Sequence, residues 1–270
     1  MNNYIKEEIL DEFAEFLTRN RDRNSLDNSS KYDKYILGRV NSINIEYFDA
    51  KDDPWNSVIL ECSRTNDIRD VFLASSIRVL TGNVKTLRVV SDSLGKISYE
   101  DFLSGKLILC LETLYRNKNH TFYGSEYMPL LIRAENEEEK TLKTMNIFQK
   151  VFSYSSTIKL ETSSKKIHDS LKQVSGIGDF YVNRIIFMLN VFESQLEEDY
   201  VSLGPGSEYS LRLLCKKYPK TQKALLFIMR ELQRLLLEKG IVISISNIEN
   251  SLCEFQKCYR HEHGLLLKKK

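Results

Sequence analysis

Turn-forming residues are scarce in this chain: 11 glycines and 4 prolines occur in 270 residues. A sandwich or barrel needs many tight turns, most of them served by glycine or proline. So small a supply favours long uninterrupted elements, and periodicity says which kind. Ile5, Ile9, Leu10, Phe13, Phe16 and Leu17 recur every three to five residues between acids and bases, the pattern of an amphipathic helix. Similar patterns predict helices near 67–80, 140–153, 165–174, 180–194, 207–218 and 221–239. Ser98-Tyr99-Glu100-Asp101 resembles a capping box, with Asp in place of Glu, opening an apolar helix through Leu107, Leu111 and Leu114. Ser246-Asn247-Ile248-Glu249 reads as a capping box for the last helix, and Gly240 stands where a C-cap glycine belongs. Residues 241–245 suit either a short strand or an extended connector. The expected fold class is all-α.

Hydrophobic residues make up 42% and charged residues 28%, which excludes a disordered chain. No apolar run approaches the roughly 20 residues that span a bilayer. The acidic start MNNYIKEEILDEF has no signal-peptide stretch, so a cytoplasmic protein with no membrane partner is expected. Five scattered cysteines, an odd number, point to reduced thiols. Cys253, Cys258, His261 and His263 form C-x4-C-x2-H-x-H, but two cysteines five apart lie about 140° apart around a helix. No metal and no cofactor are expected. The net charge of +2 splits unevenly: residues 1–164 hold 22 Lys+Arg against 25 Asp+Glu, and residues 165–270 hold 17 against 12. The expectation is one domain over 1–270 with lobes at about 1–164 and 165–270, the second facing a polyanion.

The most informative stretch is 171–207, LKQVSGIGDFYVNRIIFMLNVFESQLEEDYVSLGPGS. A helix ends at Val174, Ser175-Gly176-Ile177-Gly178 turns, and a second helix follows with Val182, Ile185, Ile186 and Leu189 on its apolar side. Two glycines allow a tight turn and a close approach to a ligand. The amides of Gly176, Ile177 and Gly178 then precede a helix N-terminus, where a backbone phosphate is favoured. The alternative is a plain glycine corner between two core helices. Gly204, Gly206 and Ser207 pose the same choice between a second anion-binding turn and a tight loop.

This hairpin, over 170–190, resembles that of the helix–hairpin–helix DNA glycosylases. The resemblance implies an aspartate about 20 residues after the second glycine, facing the sugar of a flipped nucleotide. Asp199 follows Gly178 by 21 residues and Glu198 by 20. Phe180 occupies the position where bifunctional members keep a lysine nucleophile, so a monofunctional enzyme is implied. A narrower resemblance rests on Gly204-Pro205-Gly206-Ser207 and on 249–260, ENSLCEFQKCYR. These look like the α-glutamyl/putrescinyl thymine pyrophosphorylase family, also called amino acid:DNA transferases, and the related helical domain of 5-hydroxymethyldeoxyuridine DNA kinases. In that family Arg78-Val79-Leu80-Thr81-Gly82-Asn83 corresponds to an "R-x-F-N" segment and 122–128, FYGSEYM, to an "AY" segment. Arg78, Asn83, Tyr123 and Tyr127 are the implied base pocket. The family's early arginine is missing near 43–49, and its arginine after the GPG turn is displaced to Arg212. No P-loop is present, so the chain is not itself a kinase.

The expected partner is DNA, with the substrate a modified base flipped from it. In a glycosylase, Asp199 stabilises the cationic sugar and orients water, with Glu198 the second candidate. In a transferase, the alternative, the same carboxylate deprotonates an amine that displaces pyrophosphate from the base. A non-catalytic DNA-binding module is the third reading. Genome decoration and defence against phage with modified genomes both stay open.

Overall fold

Leu10, Phe13, Phe16 and Leu17 do line one side of a helix, and none is more than 4% exposed. The computed structural model of the chain describes residues 4–40, 45–124, 130, 132–159, 163–192 and 197–265. All regular elements among these residues are helical; the sole β-type pairing among them is an isolated antiparallel bridge between Ile5 and Cys215. The chain divides into two compact units, one of 1–53 with 199–270 and one of 54–198.

The first unit begins with α1 (Glu7–Arg21) and α2 (Asp33–Ile36). The second holds α3 (Ser57–Ser63), α4 (Ile68–Thr81), α5 (Val84–Leu94), α6 (Tyr99–Leu103), α7 (Lys106–Arg116), α8 (Glu137–Ser153), α9 (Ser164–Leu171) and α10 (Asp179–Phe192). The chain then returns to the first unit as α11 (Pro205–Leu214), α12 (Gln222–Glu238) and α13 (Ile245–Glu262). No helix among the described residues is long and apolar enough to cross a membrane.

The lobe boundary therefore falls at 53/54 and 198/199 rather than at 164/165. The cause is α1: its apolar side needs a partner, and it packs on α11 and α13 from the far end of the sequence. Phe255 of α13 is fully buried against Phe13 and Phe16 of α1 and against Tyr32, with ring centroids 5.3–6.1 Å apart. Counted over the units, the charge is +2 (21 Lys+Arg against 19 Asp+Glu) and 0 (18 against 18). The +5 of residues 165–270 thus belongs to no single structural unit.

Two predicted helix starts move. Ser98 does cap, accepting from the Asp101 N–H at 3.2 Å, but its helix α6 stops at Leu103. Gly105, at φ 78°, interrupts the run, and the leucines from 107 onward form α7. At the last helix the cap is Ser244, whose hydroxyl accepts from the Asn247 N–H at 3.1 Å. Ser246 lies inside the helix, and the Glu249 carboxylate accepts from the Ser207 hydroxyl of α11. Gly240 closes α12 at φ 78°, as expected. Residues 241–244 are an extended connector that buries Ile241 and Ile243.

The second unit packs around α4, which is buried along almost its whole length. Asp70 on this helix is 3% exposed; it accepts from the Tyr99 N–H at 2.8 Å and the Thr65 hydroxyl at 3.1 Å. Burial nevertheless raises its pKa above the ordinary carboxylate value. A native carboxyl that holds its proton to higher pH than the unfolded one loses stability as pH rises through that interval. The Asp70 contribution to stability should therefore fall as pH rises above about 4, the unfolded value, so the stability of wild type relative to Asp70→Asn should decline over that interval in urea titrations run at several pH values.

Candidate functional site

The hairpin between α9 and α10 is built as the two glycines predict, though they play different parts. Gly176 adopts φ 103°, and a Cβ there would meet Ile147 Cδ1 of α8 at 2.7 Å. Both conformation and space demand glycine. Gly178 is not in the left-handed region, and a Cβ there would meet nothing within 4 Å. Ser175, Gly176 and Gly178 are exposed, while Val174 and Ile177 plug into the core at 4% and 8% exposure. The first turn of α10 therefore starts at the surface beside a bare loop, and the Tyr181 and Val182 N–H groups both donate to the Gly178 carbonyl, at 3.1 and 3.3 Å. Lys172 spans the hairpin to pair with Asp179 at the start of α10, and His168 Nε2 lies 3.9 Å from the same carboxylate. Behind the hairpin, Val182, Ile185, Ile186 and Leu189 are buried where α10 packs on α4.

The C-terminal end of α4 gathers three of the four predicted pocket residues. Arg78 is 3% exposed, one turn before Gly82, which caps α4 at φ 57°. Asn83 is the N-cap of α5: its side-chain Oδ1 accepts from the Lys85 N–H at 3.0 Å, and its side-chain Nδ2 donates to the Thr121 carbonyl. The segment 121–124 lies directly on this turn. The Gly124 N–H donates to the Thr81 carbonyl at 2.9 Å, and a Cβ on Gly124 would fall 2.0 Å from the Gly82 oxygen. Thr86 of α5 adds a second tether, donating to the Phe122 carbonyl at 2.8 Å, with His120 Nε2 at 2.9 Å from the same hydroxyl. One hydroxyl proton cannot serve both bonds, so His120 Nε2 is the donor to Thr86.

Tyr123 on this segment stands edge-on to Tyr115 at 6.2 Å and Phe122 at 5.2 Å, with Thr144 and Tyr181 near its phenol. Burial lifts its pKa far above the usual phenol value, so the group is a neutral hydroxyl at physiological pH. Tyr127 lies outside the described residues. Glu198 ends one compact unit and Asp199 begins the return into the other; both are partly exposed, in a segment without regular structure. The Glu197 carbonyl accepts from the Ser164 N–H at 3.1 Å, which folds the chain after α10 back to the start of α9.

The turn at Gly204–Ser207 meets a different partner. Gly204 is the N-cap of α11 and Pro205 its first residue. The Ser207 hydroxyl, fully buried, donates to Glu249 Oε1 of α13 at 2.7 Å, and the Gly204 N–H reaches the same oxygen at 3.4 Å. A carboxylate of the chain itself thus sits at this helix N-terminus, where the dipole favours an anion. Gly206 has no room for a side chain: a Cβ would meet Cys253 Sγ at 2.8 Å and Gln256 Oε1 at 3.1 Å. Ser210 continues the contact, donating to the Leu252 carbonyl at 2.7 Å. The two most specific sequence motifs, GPGS and LCEF, are therefore opposite sides of one helix–helix contact. Glu249→Ala should cost about 1–3 kcal/mol by removing this acceptor, with Glu249→Gln milder, as read from urea midpoints.

Sequence reasoning missed the roles of Glu249 and Glu254. Glu254 is 2% exposed, accepts from the Glu46 N–H at 3.2 Å and pairs with Lys257 at 2.6 Å. Burial pushes its pKa up, and Lys257 opposes the rise. The signal available was a charged residue inside an otherwise apolar LCEF stripe.

The fold and these contacts define an all-α protein with an exposed glycine hairpin in one unit and a carboxylate-closed GPGS turn in the other. Residues 57–267 match the family described as 5-hmdU DNA kinase, helical domain, nearly four-fifths of the chain. The chain belongs to that family. No curated protein and no solved structure gives a significant match.

Proposed function

We propose that this protein is an enzyme acting on a modified pyrimidine in DNA, and that it excises the base. The observation that carries the reading is the hairpin, with a left-handed Gly176 and exposed Gly178 at the start of α10. The family's description supports DNA carrying 5-hydroxymethyluracil as the substrate class. In this reading the hairpin amides bind a phosphate, and Arg78, Tyr123 and Asn83 line the base pocket, Asn83 acting by holding the α4–α5 turn. Tyr127 is assigned to the same pocket on sequence grounds. Asp199 stabilises the cationic sugar as the glycosidic bond breaks and the base leaves with the bonding pair. Water, oriented by the same carboxylate, adds to the sugar carbon and gives up a proton. Glu198 is the second candidate for this role. Phe180 at the lysine position means that no imine to the sugar forms.

A second reading, group transfer to a base that stays in the DNA, is favoured by the GPGS–LCEF contact, the most specific likeness to the transferases. Nucleoside mass spectrometry separates the two. With DNA containing 5-hydroxymethyluracil or its glycosylated forms, excision gives free base and abasic sites. Transfer gives a heavier nucleoside with the base retained. DNA left unchanged, with binding alone, contradicts both.

A further inference from the structure

The 22 residues 209–230 contain no Asp or Glu, yet carry Arg212, Lys216, Lys217, Lys220, Lys223 and Arg230. The fold turns most of this charge outward. Arg212 is engaged by Glu208 at 2.6 Å and lies over the Tyr218 ring. Lys217, Lys220, Lys223 and Arg230 are exposed and have no acidic partner among the described residues. On α12, Lys223, Phe227 and Arg230 follow at i, i+4 and i+7, one stripe of the helix surface. Ile228, Met229, Leu232 and Leu236 bury the opposite side.

An aromatic pair sits in this field. The Lys216 N–H donates to the Tyr4 carbonyl at 2.8 Å, which brings the Tyr4 ring edge-on to Phe227 with centroids 5.3 Å apart. Phe227 is 51% exposed and Tyr4 49%. Basic groups interleaved with open aromatic rings match one polymer on both counts. Phosphates satisfy the ammonium and guanidinium groups, and an unpaired base stacks on a ring.

We propose that this corner of the 1–53/199–270 unit is a binding track for single-stranded DNA, separate from the hairpin, with Phe227 as its stacking residue. The proposal rests on the DNA-directed reading above and adds a second contact surface to it. The experiment is a fluorescence titration of full-length protein with a single-stranded oligonucleotide across a salt series. It compares wild type, the variant K217Q/K220Q/K223Q/R230Q, and Phe227→Ala, with circular dichroism melts to confirm folding. Loss of four phosphate contacts should flatten the log–log salt slope by about 3, at about 0.7 per contact for single strands. Affinity should fall at least tenfold. Phe227→Ala should cost about 5- to 100-fold on single strands and much less on duplex.

Unchanged affinity and slope in both variants, while Gly178→Ala weakens wild-type binding, overturns this track and leaves the parent reading standing. Wild type that binds no DNA overturns both. Sedimentation with phosphatidylserine vesicles that depends on these residues, without DNA binding, assigns the patch to a membrane and also overturns the proposal.

Discussion

Gly176→Ala is expected to destabilise the 54–198 unit by about 2–5 kcal/mol. Two penalties add. A left-handed backbone costs a residue with a Cβ about 1–2 kcal/mol, and crowding a packed contact costs about 1–3 kcal/mol. The crowded atom is known: Cδ1 of Ile147, 2.7 Å from the new methyl position. Ile147→Val removes that atom but keeps Cγ1, 3.1 Å from the new methyl, so the double variant should recover most of the packing share and none of the backbone share. A double-mutant cycle in urea should then show a coupling of about 1 kcal/mol. Gly178→Ala is the contrast. Nothing crowds its Cβ and its backbone is ordinary, so stability should change by no more than about 0.5 kcal/mol. Its methyl would stand on the exposed loop proposed to receive a phosphate, so DNA affinity should fall while the melting temperature holds.

Gly124→Ala should be as damaging, for another reason. The methyl would sit 2.0 Å from the Gly82 carbonyl oxygen, a backbone atom fixed at the end of α4. Relief requires moving the segment 121–124, which breaks the Gly124–Thr81 hydrogen bond and strains the Asn83 bond to Thr121. The expected cost is about 3 kcal/mol or more, read as a lowered midpoint in thermal melts. Because Tyr123 rides on this segment, activity on modified DNA should fall further than stability explains. Binding through the hairpin should survive at temperatures where the unit stays folded.

Local patterns were legible in the sequence where one element decided its own fate. The spacing of Leu10, Phe13, Phe16 and Leu17 fixes α1, and the scarcity of glycine and proline gives the helical class. The hairpin was readable because Gly176 obeys a backbone rule. Long-range partners were not. Gly206 suited either an anion-binding turn or a tight loop, and nothing local showed that its missing side chain makes room for Cys253 and Gln256 of α13. Glu249 looked like half of a capping box; Ser244, two residues before the expected Ser246, caps the helix instead and leaves the carboxylate for α11. The lobes inferred from charge missed that α1 packs with α11 and α13, since net charge carries no information about which apolar sides pair. For the candidate site, the nearness of segments 78–83 and 121–124 followed only from the resemblance. The clasp itself, formed by Gly82, Gly124 and Thr86, has no local signature.

The most direct test of the account is the single-turnover rate of base release from DNA containing 5-hydroxymethyluracil, with wild type compared to Asp199→Asn. A carboxylate that stabilises the cationic sugar supplies about 3–5 kcal/mol to the transition state, so its loss predicts a rate reduced about 10²- to 10⁴-fold with DNA affinity nearly unchanged. Equal rates of base release in the two proteins, or no release by wild type from any modified DNA, would contradict it.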